Sequence, residues 1–250
     1  MNQPVIGFGS HLNHIAWWRS PPPTGTRRRS RSAVSAALSN RLERETHMST
    51  DTRYAIVGTG NIGSALARLF ARAGVEVSIA NTRGPRSISE LAASWGSTVR
   101  AVTLTEALAS DVIFMAIPFG AVETFSNALP DWNGKIVVDT TNAHYAPNAG
   151  DILKGRLSSQ YAAEVLPGAQ IVKAFNQLPA QTLAAEVPSG QGKRVVFVSS
   201  DSDEAGSQIA ELARTLGLSP VELGRIDEGG RLIEAPGALV LRNFTEQPLT

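Results

Sequence analysis

The 250-residue sequence contains no cysteine. This absence excludes disulfides, thiolate nucleophiles, iron–sulfur clusters and cysteine zinc sites, but it leaves the redox compartment open. No apolar run approaches the roughly 20 residues of a membrane-spanning helix, so no membrane partner is expected. Catalytic acids and bases are also scarce, since His144 is the single histidine after Met48. No histidine and carboxylate cluster has metal-ligand spacing, so no metal site is predicted.

The residues that are present predict a globular protein. Apolar residues make up 42% of the chain and charged residues 18%, which is enough for a core and excludes wholesale disorder. The net charge of +1 is unevenly distributed, because residues 1–48 hold seven arginines, no lysine and two glutamates. The remaining residues hold 16 basic and 20 acidic side chains. A weakly acidic body argues against a nucleic-acid partner.

The N-terminal residues differ in composition from the rest of the chain. They contain a proline run (Pro21–Pro23), an arginine cluster and three of the four histidines. One interpretation is a disordered extension; the other is an organellar transit peptide, because the segment before Glu43 is rich in arginine and serine and free of acids. We therefore predict a disordered basic extension over residues 1–50 and a single domain over residues 51–250. The expected location is cytoplasmic, or organellar if residues 1–48 are a transit peptide.

A glycine-rich motif stands between a strand and a helix near the start of the domain. The apolar run Tyr54–Val57 leads into Gly58-Thr59-Gly60-Asn61-Ile62-Gly63, and apolar residues then recur at helical spacing as far as Arg72. The first glycine permits a tight turn, the second lets a diphosphate approach the backbone, and the third allows close helix packing. A diphosphate would meet the free N–H groups at the helix start. The motif predicts a dinucleotide-binding βαβ unit.

Residues 75–80 alternate like a second strand, and the end of this strand distinguishes NADP from NAD. NAD-binding proteins place Asp or Glu there to bind the ribose 2′-hydroxyl. This chain has Asn81-Thr82-Arg83-Gly84-Pro85-Arg86 instead. No acid repels a 2′-phosphate, and Thr82, Arg83 and Arg86 are able to donate to it. We therefore expect NADP(H) as the cofactor.

The remaining pattern predicts a Rossmann-type α/β fold, with a doubly wound, mostly parallel sheet and a short C-terminal αβ extension. Apolar strands are expected at residues 98–102, 111–117, 135–139, 171–175 and 194–199, and a short one at 219–223. The apolar stretch Leu232–Leu241 contains Pro236 and predicts a broken helix. Polar and aromatic residues cluster just after three strands, at the edge where open sheets bind ligands: Pro118, Phe119, Thr141, Asn142, Asn176 and Gln177.

The scarcity of acid–base groups limits the chemistry. No Ser-Tyr-x-x-x-Lys pattern is present, which disfavours the short-chain dehydrogenase mechanism. Hydride transfer between nicotinamide and a flavin-like ring needs little proton chemistry from the protein, because the acceptor supplies it. Positioning then does most of the catalysis. His144 is either a catalytic residue or a solvent-facing loop residue.

Residues 54 to 242 resemble the coenzyme F420-dependent NADP oxidoreductase family, also called NADPH-dependent deazaflavin reductases. That family is similar to the NADPH-binding domain of the STEAP metalloreductases and, more distantly, to pyrroline-5-carboxylate reductase. The resemblance is carried by five stretches and by the glycine loop: Asn81–Arg83, Ile117–Phe119, Val138–Asn142, Val172–Asn176 and Arg231–Ala235. It implies hydride transfer between NADPH and a deazaflavin or flavin acceptor (F420, FMN or FAD), and it suggests a homodimer.

The resemblance also implies roles for individual residues. Thr59, Asn61 and Ile62 would surround the diphosphate, and Thr82 and Arg83 would hold the 2′-phosphate. The predicted cofactor set is completed by Asn81, Ile117, Pro118, Phe119 and Asn142, of which Pro118 and Phe119 would border the nicotinamide. The alternative for Phe119 is a place in the core. Asn176 would face the reacting rings, and it stands where the archaeal enzymes carry a histidine. The stretch Asn142–Tyr145 replaces the commoner Asn-Pro.

Two other functions stay open at this point. One is reduction of a small substrate, as in pyrroline-5-carboxylate reductase or the β-hydroxyacid dehydrogenases. Those families use an additional C-terminal helical domain, and only about 75 residues follow Phe175 here. The other is a non-catalytic redox sensor that binds NADPH and regulates a partner.

Overall fold

The computed structural model describes residues 52–247, apart from the side chain of Tyr145. The strands are β1 Tyr54–Val57, β2 Val77–Ala80, β3 Val99–Ala101, β4 Val112–Met115, β5 Ile136–Asp139, β6 Gln170–Ala174, β7 Lys193–Ser200, β8 Ser219–Glu222 and β9 Thr245–Glu246. The helices are α1 Asn61–Ala73, α2 Ser89–Trp95, α3 Leu104–Leu108, α4 Val122–Ser126, α5 Ala149–Leu153, α6 Ser158–Val165, α7 Ala180–Ala184, α8 Asp203–Thr215 and α9 Arg231–Ile233. A π-helical turn, Ile226–Gly230, precedes α9.

The sheet has the strand order β3-β2-β1-β4-β5-β6-β7-β8. The first six strands in this order are parallel, β7 runs antiparallel to β6, and β8 is parallel to β7. The short β9 pairs with the start of β7. The chain moves outward in one direction through β1, β2 and β3 and in the other from β4, so the strand order reverses between β1 and β4. Open α/β sheets bind their ligands at such a reversal, and the predicted Rossmann-type fold is confirmed.

The central strands are apolar because helices cover both faces of the sheet. Every residue of β1, β4 and β5 is buried. Successive side chains alternate between two cores, so Ile56 and Phe114 face one layer of helices while Ala55 and Ile113 face the other. This two-sided burial explains the near-continuous apolar runs in the sequence.

Helix α1 ends where the sequence predicts. Gly74 follows it in the left-handed conformation (φ 68°), and its N–H donates to the Ala71 carbonyl. Glycine adopts this conformation without the steric penalty of a Cβ atom. The chain then turns at once into β2, which lies beside β1. The short connection keeps the end of β2 close to the glycine loop.

The C-terminal region corrects one prediction. The expected strands appear as β7 and β8, but Leu232–Leu241 does not form a broken helix. Helix α9 ends at Ile233, and Glu234 is extended (φ −90°, ψ 138°). Pro236 and Gly237 follow, and a Cβ on Gly237 would lie 2.4 Å from the Leu232 carbonyl oxygen, which shows how tightly this segment turns. The turn directs the Glu234 side chain into the interior, where it is buried.

Two further predictions concern the N-terminal residues and membrane-spanning helices. The predicted extension over residues 1–50 lies outside the described residues. Within residues 52–247, no helix is both long enough and apolar enough to cross a membrane.

The aromatic contacts of β4 give a test of the core. The Phe114 ring is fully buried, 5.5 Å from the ring of Phe70 and 5.7 Å from that of Phe175. We expect Phe114→Ala to lower the free energy of unfolding by about 3–5 kcal/mol, because the lost contacts leave a cavity. Leu91 on α2 is 39% exposed and supplies the control, since Leu91→Ala is expected to change stability by only about 0.5 kcal/mol. Urea unfolding measures both, and equal losses would contradict this description of the core.

Candidate active site

The glycine loop connects β1 to α1 through contacts that only glycine permits. Gly58 has φ 105°, and a Cβ there would lie 2.1 Å from the Ala116 carbonyl oxygen at the end of β4. A Cβ on Gly63 would lie 1.9 Å from the Gly58 carbonyl oxygen. Both distances are far inside van der Waals contact. The start of α1 is therefore packed directly on the turn that follows β1, and that turn is packed on the end of β4.

Gly60 has the opposite environment. Its backbone is extended (φ −75°), and a Cβ added to it would meet no atom within 4 Å. Gly60 caps α1, no side chain caps that end, and the first turn contains no acid. The helix therefore presents uncapped N–H groups and the positive end of its dipole to an open cradle. A dinucleotide diphosphate fits a cradle of this kind.

The side chains around the loop are arranged to hold it. The Asn81 amide donates to the Thr59 hydroxyl (3.3 Å) and to the Ser87 hydroxyl (3.1 Å). The Asn81 side-chain oxygen accepts from the Arg83 N–H (3.0 Å). Asn81 thus links the glycine loop to the turn after β2. Of the other residues predicted around the diphosphate, Asn61 is exposed and Ile62 is half-buried against the core.

The turn after β2 carries the predicted phosphate donors at the surface. Thr82, Arg83 and Arg86 are all exposed. Within residues 52–247, neither arginine forms an ion pair with a carboxylate. Two arginines without carboxylate partners next to the glycine loop give this end of the site a positive potential suited to a 2′-phosphate.

The turn after β4 changes the interpretation of one residue. Ile117 is half-buried and Pro118 is exposed, but the Phe119 side chain is only 4% exposed. Its ring packs against the Tyr161 ring at 5.7 Å, inside the core under the sheet. We therefore correct the expectation that the Phe119 ring borders the nicotinamide, because core packing turns the ring inward. Ile117 and Pro118 are the accessible residues of this turn.

The turns after β5 and β6 are joined by two asparagines. The Asn142 side-chain amide donates to the Asn176 backbone carbonyl (2.8 Å), and the Asn176 amide donates to the Asn142 side-chain oxygen (3.3 Å). Asn176 also donates to the Ile233 carbonyl (2.7 Å). Two residues that the sequence placed at this edge are therefore in direct contact.

Three buried side-chain oxygens in these turns have no hydrogen-bond partner among residues 52–247: Thr141 Oγ1, Asn176 Oδ1 and Gln177 Oε1. Most buried polar atoms in proteins are paired, so each exception needs an explanation. Here all three follow β5 or β6, at the edge where a sheet of this topology binds its ligand.

A cluster of charged side chains lies beneath the asparagines. Lys173 and Asp139 are both fully buried, and the Lys173 ammonium donates to Asp139 Oδ2 (3.0 Å). It also donates to the Thr141 carbonyl (2.7 Å) and to the Ser158 hydroxyl (3.1 Å), which uses all three of its N–H groups. Glu234 Oε1 lies 3.9 Å from the same nitrogen.

The Glu234 carboxylate is held mainly by the start of α6. It accepts from the backbone N–H groups of Ser158 (2.6 Å) and Ser159 (3.0 Å) and from the Ser159 hydroxyl. Burial alone would raise the pKa of the Glu234 carboxyl, but the Lys173 ammonium and these hydrogen bonds hold that pKa below its ordinary value. Glu234 is therefore a buried carboxylate that stays ionised.

No role for Lys173, Asp139 or Glu234 is predicted from the sequence. A signal for the first two was present, because a lysine within an apolar strand is almost never buried without a partner. Asp139 and Lys173 are also register partners across β5 and β6. No comparable signal marked Glu234, which lies 61 residues beyond Lys173 on a segment that seemed helical.

His144 lies in the short turn Ala143–Tyr145 after β5, and its side chain is exposed. Its predicted catalytic role therefore stays a prediction. Within the described part of the chain, no group of three or more His, Asp or Glu side chains is arranged to hold a metal ion.

Comparisons with known proteins agree with this geometry. The family model for coenzyme F420-dependent NADP oxidoreductases matches residues 53–143, which include the glycine loop and the turn after β2. Metalloreductase STEAP3 of Rattus norvegicus is 30% identical over 182 residues, covering 72% of this chain and 35% of that protein. Metalloreductase STEAP2 of Homo sapiens is 27% identical over 191 residues, covering 76% of this chain and 36% of that protein. The chain thus spans little more than a third of these relatives.

Two solved structures have the same fold. A hypothetical protein of Sinorhizobium meliloti is 41% identical, with a TM-score of 0.75 over 81% of this chain and 100% of that one. A putative F420-dependent NADP-reductase from Arthrobacter sp. FB24 is 24% identical, with a TM-score of 0.56 over 70% of this chain and 86% of that one. The family model covers the segment that forms the cradle, so residues 53–143 match the coenzyme F420-dependent NADP oxidoreductase family.

Proposed function

We propose that this protein transfers a hydride between NADP(H) and a flavin or deazaflavin, with F420, FMN and FAD as the candidate acceptors. The observation that carries the proposal is the open cradle in front of Gly60, at the uncapped start of α1. It provides both the space and the positive potential that a dinucleotide diphosphate requires. The match of residues 53–143 to a family of NADP oxidoreductases supports the cofactor, and the acceptor is our inference.

The cofactor would be held at two places by charge and by backbone N–H groups. Thr59, Asn61 and Ile62 would surround the diphosphate at the start of α1. Thr82 and Arg83 would hold the 2′-phosphate in the turn after β2. Arg83 is exposed, so its attraction for the phosphate is screened by salt and depends on hydrogen-bond geometry.

The nicotinamide would lie at the ends of β4, β5 and β6. Bound NADPH supplies the hydride. Ile117 and Pro118 would cover the ring and exclude water, and Asn142 and Asn176 offer hydrogen bonds to it. His144 is the one histidine of the described region, and its exposed side chain lies in the turn after β5.

The choice of a flavin-like acceptor follows from the paired charges beneath this edge. Asp139, Lys173 and Glu234 are buried and bonded to one another or to backbone groups, so none of them is free to protonate a substrate. A carbonyl or imine substrate would require a proton donor. A flavin or deazaflavin ring takes up or releases its own proton, so the protein mainly has to position the two rings.

Reduction of a small substrate is less well supported. The families considered for that function add a helical domain after the sheet. In this chain, the described residues after β6 instead add β7 and β8 to the same sheet, connected by α8. The STEAP relatives are named as metalloreductases, and metal reduction by this chain would require that electrons continue from the acceptor to a metal substrate. The predicted homodimer and cytoplasmic location stay predictions.

A turnover assay tests the proposal directly. The full chain is mixed with NADPH and, separately, with F420, FMN and FAD, and NADPH absorbance is followed. We expect acceptor-dependent loss of NADPH with at least one of the three. Oxidation with none of them would contradict the proposed reaction. Tight NADPH binding without turnover would favour a redox sensor.

The two glycines with opposite environments give a matched test of the cradle. Gly60→Ala is expected to weaken NADPH binding at least about tenfold, because the methyl group enters the diphosphate space, while stability falls by less than about 1 kcal/mol. Gly63→Ala is expected to destabilise the fold itself, because its methyl group meets the Gly58 carbonyl.

Gly150→Ala serves as the control, since a Cβ at Gly150 also meets open space and lies on the separate helix α5. Calorimetric titration and thermal unfolding separate binding from stability. Unchanged NADPH affinity in Gly60→Ala would place the diphosphate elsewhere.

Reversing the charge of Arg83 tests the choice of nucleotide. Arg83→Glu is expected to weaken NADPH about tenfold or more and NADH by much less, because the new carboxylate repels the 2′-phosphate. Arg68→Glu makes the same change of net charge on the exposed side of α1 and should leave the preference unaltered. Equal losses for both nucleotides in Arg83→Glu would mean that Arg83 does not contact the 2′-phosphate.

A further inference from the structure

The segment that follows α9 connects the buried charges to the edge of the sheet. Ile233 and Glu234 are neighbours in the chain, and they have different partners. The Ile233 carbonyl accepts from the Asn176 side chain (2.7 Å), while the Glu234 carboxylate accepts from the start of α6. Glu234 therefore anchors the peptide group whose carbonyl contacts Asn176.

Lys173 fixes the other partner of Asn176. Its ammonium donates to the Thr141 carbonyl, which belongs to the peptide group that joins Thr141 to Asn142. The Asn142 side-chain oxygen in turn accepts from Asn176. Lys173 also lies 3.9 Å from Glu234. The Asn176 amide therefore has two acceptors with fixed positions. The Asn142 side chain follows the Thr141 carbonyl that Lys173 binds, and the Ile233 carbonyl precedes Glu234, which the start of α6 binds.

These acceptors determine which way the Asn176 amide faces. A backbone carbonyl only accepts hydrogen bonds, so the Ile233 carbonyl selects the NH₂ side of the amide. The Asn142 side chain uses its own NH₂ group for the Asn176 backbone carbonyl, so its oxygen is the part available to Asn176. Both N–H groups of Asn176 are then used, and Oδ1 is the part of the amide without a partner among the described residues.

We propose that Glu234 and Lys173 are positioning residues, which hold the Ile233 carbonyl and the Asn142 side chain so that Asn176 Oδ1 accepts a hydrogen bond from the nicotinamide carboxamide. This inference rests on the proposed function, because it assumes that NADPH is the ligand. It adds a role for two residues that do not touch the nucleotide. The carboxamide suits the site, since its NH₂ group is a neutral donor and Asn176 offers a neutral acceptor.

Glu234→Gln tests this arrangement with little change of shape. The variant removes the charge that Lys173 and the start of α6 hold, and it introduces an NH₂ group toward N–H donors. The Ile233 carbonyl then loses its anchor. We expect NADPH to bind about fivefold to tenfold more weakly, which is the effect of losing one neutral hydrogen bond.

A second ligand identifies which part of NADPH is affected. The compound 2′-phospho-ADP-ribose has the same diphosphate and 2′-phosphate but no nicotinamide. Its dissociation constant should change less than about twofold in Glu234→Gln, because Arg83 and the glycine cradle are untouched. The nicotinamide fluorescence of bound NADPH should also fall toward that of free NADPH. Equal weakening of both ligands, or no weakening of either, would overturn the proposal.

A double-mutant cycle tests whether Glu234 acts through Asn176. Asn176→Leu removes the amide, and it should weaken NADPH by a similar factor. If the proposal is correct, adding Glu234→Gln to Asn176→Leu produces no further loss. Multiplied effects of the two substitutions would show that Glu234 acts by another route.

Two more variants complete the test: one is a control, and the other replaces Glu234→Gln if that variant does not fold. Glu106→Gln is the matched control, because Glu106 also accepts hydrogen bonds at a helix start, from Thr103 at the start of α3, and has no connection with Asn176. It should leave both ligands unaffected. If Glu234→Gln does not fold, Ser159→Ala removes one bond to Glu234 and should selectively weaken NADPH to a smaller degree; failure to do so overturns the proposal. A wild-type chain that binds neither ligand would instead overturn the proposed function.

Discussion

The close packing of the start of α1, the turn after β1 and the end of β4 determines where the site is. Two positions without a side chain make it possible, because a Cβ on Gly58 or Gly63 would overlap a backbone carbonyl oxygen. Because the helix packs so closely, its uncapped start lies between the ends of β1 and β4, where the strand order reverses. The partial positive charge of a helix start is about half an elementary charge, and it acts only within the first turn. The approach must therefore be close for the dipole to serve a diphosphate.

The buried charges have a different role from the apolar core. Removing an ammonium and two carboxylates from water is expensive, and such clusters frequently add no net stability over apolar packing. What Lys173, Asp139 and Glu234 provide is a defined position, since their directional bonds link four segments to one another: the ends of β5 and β6, the start of α6 and the turn after α9. The start of α6 also supplies positive potential, which compensates for the second carboxylate. The C-terminal segment is thereby held under the proposed nicotinamide site.

The sequence contains enough information for the first half of the fold and for the position of the glycine loop. Strands buried on both faces are apolar throughout, and glycines required by close contacts stand in a fixed pattern, so β1 to β6 and the glycine loop could be predicted. Local patterns carry less information about the rest. The antiparallel direction of β7 depends on a connection of about 18 residues whose path no periodicity reveals.

The individual site residues show the same limit. Phe119 is adjacent to exposed Pro118 and seemed available to a ligand, but its ring belongs to the core. The stretch after Arg231 is apolar and seemed helical, but an ionised Glu234 within it is drawn inward by Lys173 and α6. These errors share a cause. The direction of a side chain in a turn depends on tertiary partners that are distant in sequence, and neither hydropathy nor spacing encodes those partners.

The backbone at Phe175 connects the core to the proposed chemistry. Three non-glycine residues among positions 52–247 have positive φ, namely Lys154, Phe175 and Leu241, and only Phe175 (φ 59°) is fully buried. An L-residue in this conformation carries a penalty of about 1–2 kcal/mol, so the surrounding contacts must hold it there. The Phe175 ring is fixed against Phe114, and the next residue is Asn176. The strained turn thus lets one residue fill the core while its neighbour leaves the strand direction and reaches Asn142 and Ile233. The strained backbone at Phe175 and the buried charges therefore serve the same end in our proposal, because both orient the side-chain amide of Asn176.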